Sequence, residues 1–253
     1  MRTIDLNSDM GEYDNQELLD RESQLMLLIT SANIACGAHA GNPRLMRRTA
    51  RLAAQQGVAI GAHPGFPDSG DFGRGDREAS PDAIASLVSR QLTTLSEVLA
   101  SEHLTLMHVK PHGALYSMTA RDPEAADALA QAVAACDRRL LLYALAGSAL
   151  VESGRSLGLR VIEEAFADRA YRSDGTLVPR SQPGAVFQTE QQVVRQLREI
   201  LDGSLTSIDG KRIPLHADSL CVHVDTPHAV EFVRLLRTEL ASTGVRVARP
   251  REM

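Results

Sequence analysis

Apolar and polar positions alternate in three stretches of the chain. Asp5, Asn7 and Asp9 alternate with Ile4 and Leu6, and His108 and Lys110 with Met107 and Val109. Cys221, His223 and Asp225 alternate with Val222 and Val224. A period of two marks a strand with one apolar and one polar face. Seven segments have strand character, near residues 2–8, 32–36, 58–62, 104–110, 139–145, 159–166 and 219–224. Helical spacing of Ile84, Leu87, Val88, Leu95, Val98 and Leu99 predicts an amphipathic helix over 81–101. Asn42-Pro43, Ser80-Pro81, Asp122-Pro123 and Thr226-Pro227 each read as an N-cap followed by proline at the first helical position. Thr189 and Gln192 read as a capping box. Strands alternating with helices predict βαβ units and a parallel sheet.

The alternation decides between an open and a closed sheet. Strands covered by helices on both faces read as continuous apolar runs. Here an open sheet would bury one polar face per strand without partners, at several kcal/mol for each unpaired charge. A barrel instead turns those faces into a common interior. Seven strands predict a single-domain parallel (β/α)7 barrel, TIM-like, spanning residues 1–253. Six of the strands also run into ionisable residues: Asp9 and Glu12; Cys36 and His39; His63; Lys110 and His112; Asp168 and Arg169; and Asp225. Strand ends of such folds are where ligands bind.

Composition changes this picture little. The 253 residues are 43% hydrophobic and 23% charged, as in ordinary globular proteins. A net charge of −5 argues against nucleic-acid or acidic-membrane partners. No apolar run reaches transmembrane length, and Met1-Arg2 leads straight into a strand without a signal-peptide core, so a cytoplasmic location is expected. Three scattered cysteines fit a reduced compartment and serve best as small core residues; Cys36 has no evident activating base. Trp is absent and aromatics are 4%, which leaves little for stacking sugars or bases.

The strings DLNSDMGE (5–12), SANIACGAHAG (31–41), GAHPGFPD (61–68), HVKPHGALY (108–116), FADRAY (166–171) with DGTLVPR (174–180), and CVHVDTP (221–227) closely resemble the LamB/YcsF family, the A component of ATP-dependent 5-oxoprolinase. They fall in order along nearly the whole chain. Ser8 stands where the family usually has Cys, Tyr13-Asp14-Asn15 replaces a Gly-containing stretch, and Val224 replaces a frequent Gly. The resemblance implies a fold similar to the glycoside hydrolase/deacetylase barrels. It implies opening of the 5-oxoproline lactam to L-glutamate with ATP hydrolysis, ATP accompanied by Mg, and two partner subunits, B and C.

That chemistry needs cations for phosphate, a base for water and donors for an oxyanion. Asp9, His39, His63, Lys110 and His112 are the catalytic candidates, Lys110 as a phosphate or oxyanion contact. Asp5, Asn7, Glu12, Asn33, Arg74, Tyr116, Asp168, Arg169, His223 and Asp225 are the substrate- or phosphate-binding candidates. Among these, Asp168 and Arg169 read as an ion pair at the rim, and Asp225 as the partner that orients an imidazole. Asp5 and Asp9 could also serve as orienting residue and base, while Asp9 and Glu12 could simply cap loop amides. The glycine-rich loop 63–79, with Arg74 and Arg77, could cradle phosphate through its amides, although no G-x-x-x-x-G-K-S/T string is present. Two other functions fit the same residue types. One is a metal-dependent amide hydrolase or deacetylase with Asp9, His39 and His63 as ligands. The other is a substrate-binding subunit without chemistry of its own.

Overall fold

The computed structural model describes residues 2–75, 77–226 and 228–250. Its strands are β1 (Thr3–Met10), β2 (Ser31–Ala35), β3 (Ala59–His63), β4 (His108–Val109), β5 (Leu141–Leu145), β6 (Arg160–Phe166), β7 (Ser204–Thr206), β8 (Arg212–Pro214), β9 (Ser219–Cys221) and β10 (Arg246–Val247). Its helices are α1 (Gln16–Met26), α2 (Pro43–Gln56), α3 (Pro81–Ser101), α4 (Gly113–Arg121), α5 (Pro123–Cys136), α6 (Ala149–Ser156), α7 (Glu190–Leu201) and α8 (Ala229–Ser242). Strands β1 to β6 pair in sequence, all parallel, and β9 pairs with both β6 and β1. That closes a seven-stranded parallel barrel. Helices surround it, and contact between α8 and α1 completes the ring.

The expected helix over 81–101 forms with Ser80 as its cap, and the Thr189–Gln192 capping box is present. Two strands are shorter than expected: β4 keeps only His108 and Val109, losing mainly its first residues, and β9 keeps three, Ser219–Cys221. The fourth expected cap does not form. α8 begins at Ala229 behind His228, whose φ of 61° is left-handed. The Thr226 hydroxyl instead donates to Asp168, and Pro227 lies outside the described residues. The antiparallel β7–β8 hairpin carries no signal strong enough to have predicted it.

The wall separates two kinds of core. Ile4, Leu6, Ala32, Ile34, Val109 and Leu220 are buried in the main apolar cluster of sheet and helices. The other face of the same strands fills the barrel with hydrogen-bonded polar groups. At the lower level Asp5 accepts from the hydroxyls of Thr30, Ser31, Tyr143 and Ser219, beside a small apolar cluster of Leu141, Tyr143 and Ile162. One level up, His108 sits opposite Gly61 of β3. Its Nε2 donates to Asn33 Oδ1 at 2.8 Å. Burial, then the charge of Lys110, push its pKa down to about 3, so the ring is neutral.

Gly61 makes room for that ring. A Cβ at this position would lie 2.0 Å from His108 Nε2. Gly61→Ala therefore forces the imidazole off Asn33 in a core with no slack, and a loss of about 3 kcal/mol is expected in urea denaturation. A loss below about 1 kcal/mol would show that the ring can step aside.

Candidate active site at the barrel mouth

The upper interior is organised by a buried ammonium group. Lys110, at the end of β4, is 2% exposed. Its Nζ lies 2.9 Å from Glu164 Oε1, and 3.1 Å from each of Asp9 Oδ1, Asn7 Oδ1 and Cys221 Sγ. Burial alone would lower its pKa. The charges of Asp9 and Glu164 outweigh that and hold it well above the ordinary lysine value. Asp9 is the converse: burial pushes it up, but His63 and Lys110 hold it well below the usual carboxylate range. The amides lock the pattern. Asn7 Nδ2 donates to Glu164 and Ser219, and Asn33 Nδ2 donates to Asn7 and Asp9. Tyr116, on α4, donates its hydroxyl to Glu164 Oε2.

A second cluster lies beside Asp9, assembled from the ends of four successive strands. His63 Nε2 is 3.3 Å from Asp9 Oδ2 and 2.9 Å from His112 Nδ1. His39 stacks on His112 with centroids 3.7 Å apart, and its Nε2 lies 3.1 Å from Glu12 Oε1. The stack is possible because position 65 is glycine: a Cβ there would lie 2.8 Å from His39 Nδ1. Burial first, then the neighbouring His63 and His39 imidazoles, hold His112 well below the ordinary histidine pKa.

The third group is cationic. Arg180 Nη1 meets both oxygens of Asp225, at 3.0 and 2.9 Å, and Arg74 Nη2 meets Oδ2 at 3.2 Å. Arg180 Nη2 is buried without a partner among the described residues. Deeper in, Asp168 Oδ2 accepts from Thr226 Oγ1 at 2.7 Å and from His223 Nδ1 at 3.2 Å. An ionised carboxylate only accepts, so Nδ1 carries the proton and His223 Nε2 is left bare. Burial would raise Asp168, but His223 and Thr226 keep it well below the usual range. His223 is lowered by burial first and then by Arg180, so it is neutral near pH 7. These groups open on a cavity of about 860 Å³. Arg74, Arg77, Arg121, Arg169, Arg172 and Arg180 line it, together with Asp9, His63, His112 and His223.

The structure thus brings Asn7, Asp9, Glu12, Asn33, His39, His63, Lys110, His112, Tyr116 and His223 into one interior. Four expected placements change. Asp5 lies two residues below Asn7 on β1, spends its carboxylate on four hydroxyls and is no part of the cavity lining. Asp168 and Arg169 do not pair, because adjacent side chains diverge at the end of β6. Asp168 turns in to His223, while Arg169 donates to the carbonyls of Val178 and Ala185. Asp225 does not orient His223; it is held between Arg74 and Arg180. The loop 63–79 offers few free amides, since Asp68 accepts from Gly70, Asp71 and Phe72, and Asp71 accepts from Gly73 and Arg77. Glu164 and Arg180 are site residues that the sequence pattern does not single out. The signal for Glu164 is a charge inside the β6 run, and Arg180 closes the string DGTLVPR. Cys36 is a core residue: its thiol donates to Ile34 O, and burial pushes its pKa up to about 12.

The LamB/YcsF family model matches residues 4–253, essentially the whole barrel. The chain belongs to the LamB/YcsF family. It is 47% identical to the A subunit of 5-oxoprolinase from Symbiobacterium thermophilum over 99% of this chain and 96% of that one. It is 45% identical to the A subunit of 5-oxoprolinase from Brevibacillus brevis, over 98% of each chain. The crystal structure of the lactam utilization protein from Thermus thermophilus superposes with a TM-score of 0.85 at 42% identity, covering 97% of this chain and 99% of that one. Within this LamB/YcsF barrel, Ser8 is turned out of the cavity and donates to Val222 O at 2.6 Å, so its exchange for the usual Cys bears on the wall rather than the mouth.

Proposed function

We propose that this chain is the lactam-opening subunit of an ATP-dependent 5-oxoprolinase, working on 5-oxoproline phosphorylated at its lactam oxygen. Relatives named as the A subunit of 5-oxoprolinase, similar along the full length, support the reaction class. The observation that carries the reading is the cavity: six arginines surround a neutral imidazole backed by a carboxylate. Such a lining suits a substrate with a carboxylate and a phosphoryl group, both of which arginine binds as paired oxygens.

In this reading Arg74 and Arg180 exchange Asp225 for a substrate oxyanion, and Asp9, kept ionised by Lys110, accepts from the ring N–H. Water adds to the lactam carbon and its proton passes to His223 Nε2. Asp168 holds the imidazole in register and stabilises the imidazolium. The same imidazolium returns the proton to the ring nitrogen as the C–N bond breaks, and the hydroxyl proton of the adduct passes to the freed imidazole as the carbonyl forms. The opened product is an acyl phosphate. A second water releases phosphate and leaves glutamate. Phosphorylation of the lactam makes the carbon electrophilic enough for the first addition.

The phosphorylation itself fits partner subunits, B and C, better than this chain. The loop amides that could hold a triphosphate are taken by Asp68 and Asp71. ATP and its Mg are therefore assigned to the partners. We place the reaction in the cytoplasm, with its nucleotide; among the described residues no helix is long and apolar enough to cross a membrane.

Reconstitution tests this. The chain, both partner subunits, 5-oxoproline and ATP are expected to give glutamate and phosphate in equal amounts, and no glutamate when this chain is left out. The same glutamate rate without it would refute the assignment, and would leave it without chemistry of its own.

A further inference from the structure

Two imidazoles face each other at the barrel mouth in a way that neutral rings cannot. His63 Nδ1 lies 2.8 Å from Lys110 O, and His112 Nε2 lies 2.9 Å from Phe72 O. A carbonyl only accepts, so both of these nitrogens carry protons. The remaining nitrogens, His63 Nε2 and His112 Nδ1, then point bare lone pairs at one another across 2.9 Å. A third acceptor joins them: Glu12 Oε1 is 3.4 Å from His112 Nδ1 and 3.9 Å from His63 Nε2. The side chains are 4%, 5% and 1% exposed for Glu12, His112 and His63, so bulk water does not relieve the repulsion. A cation must.

We propose that Glu12, His63 and His112 bind one divalent transition-metal ion, with a coordination position left open to the cavity. Two imidazoles and a carboxylate suit Zn2+ and similar ions of catalytic type. Ligands about 2.0–2.1 Å from a tetrahedral ion stand about 3.3 Å from one another. The three separations of 2.9, 3.4 and 3.9 Å bracket that value. The outer nitrogens of both imidazoles are fixed by backbone carbonyls, the arrangement that aims metal-bound histidines.

His39 is a positioning residue for this site rather than a ligand. Its ring lies parallel to His112 within 4°, so an ion in the plane of His112 is out of the plane of His39. Its Nε2 instead donates to Glu12 Oε1, which aims the carboxylate and leaves Nδ1 as the bare atom that finds no partner among the described residues. The set differs from the Asp9, His39 and His63 ligands expected from the sequence: Lys110 engages Asp9 Oδ1, leaving Oδ2 beside the site 3.3 Å from His63 Nε2, and Glu12 engages His39. A single proton on His63 Nε2, shared with His112 Nδ1 and facing Asp9 Oδ2, is the competing explanation. It leaves Glu12 Oε1 facing the lone pair of His112 at 3.4 Å.

The test titrates chelator-stripped protein with Co2+, followed by competition with Zn2+. One Co2+ per chain is expected, with visible absorption bands of a protein-ligated ion that Zn2+ displaces. His63→Asn and His112→Asn should each abolish saturable binding. His39→Phe, which keeps the stack and loses the hydrogen bond, should weaken binding about 10–100-fold. If an asparagine variant does not fold, the isosteric Glu12→Gln decides, and must also weaken binding. Failure of the parent protein to bind Co2+ stoichiometrically overturns the inference in favour of the shared proton, and equal binding by folded variants overturns it too. No turnover is read, so the result stands apart from the 5-oxoprolinase assay.

Discussion

Lys110→Met is expected to destabilise the fold by about 3–5 kcal/mol, because it leaves two buried carboxylates without their cation. Methionine fills the space of the aliphatic stem, so packing is nearly conserved and the electrostatic part dominates. Asp9 and Glu164 are 5% and 0% exposed, and each meets the ammonium within 3.1 Å. Their remaining polar neighbours are neutral amides, a phenol and the His63 imidazole beside Asp9. In thermal unfolding the loss corresponds to about 10 °C for a domain of this size. Adding Glu164→Gln removes one stranded charge and should restore part of the stability, since Tyr116 can accept as well as donate. A single-variant loss below about 1 kcal/mol, or a double variant less stable than Lys110→Met, would mean that Lys110 is not what holds the carboxylates together. The ammonium faces four acceptors with three donors, so little is left for a phosphate, and in the function proposed above it keeps Asp9 ionised.

The barrel was legible because its interior is polar. Alternation at Asp5, Asn7 and Asp9, at His108 and Lys110, and at Cys221 and His223 excluded helices on both faces of the sheet, and the closed sheet turns those residues inward. Pairing inside it was not legible. Whether Asp168 meets Arg169 or His223 depends on how the chain bends beyond β6 and β9, and no local pattern encodes that bend. Glu164 was missed for a related reason: a charge inside an apolar run reads as an interruption until a cation is seen 2.9 Å away. The same holds for His63 and His112. Each is an ordinary polar strand end in the sequence, and only the carbonyls of Lys110 and Phe72 reveal which nitrogen of each ring is bare.

His223→Gln is expected to lower kcat by about 10²–10⁴-fold in the reconstituted enzyme, with little change in KM, because the imidazole acts on water rather than on the substrate's anionic groups. The pH profile separates this role from a structural one. Burial and Arg180 lower the His223 pKa, so the acid limb of kcat/KM should fall below the ordinary imidazole value of about 6.5. Asp168 works in the opposite direction, since its negative charge favours the imidazolium. Asp168→Asn removes that charge, so the pKa falls further and the acid limb should move to lower pH while the plateau rate drops. A mere loss of packing would lower the plateau and leave the limb in place. Asparagine still offers an oxygen to Nδ1 and to Thr226, so the variant should fold, which urea denaturation can check. Full activity in His223→Gln, or an unmoved limb in Asp168→Asn, would take the base away from His223 and leave Asp9 as the nearest carboxylate able to serve.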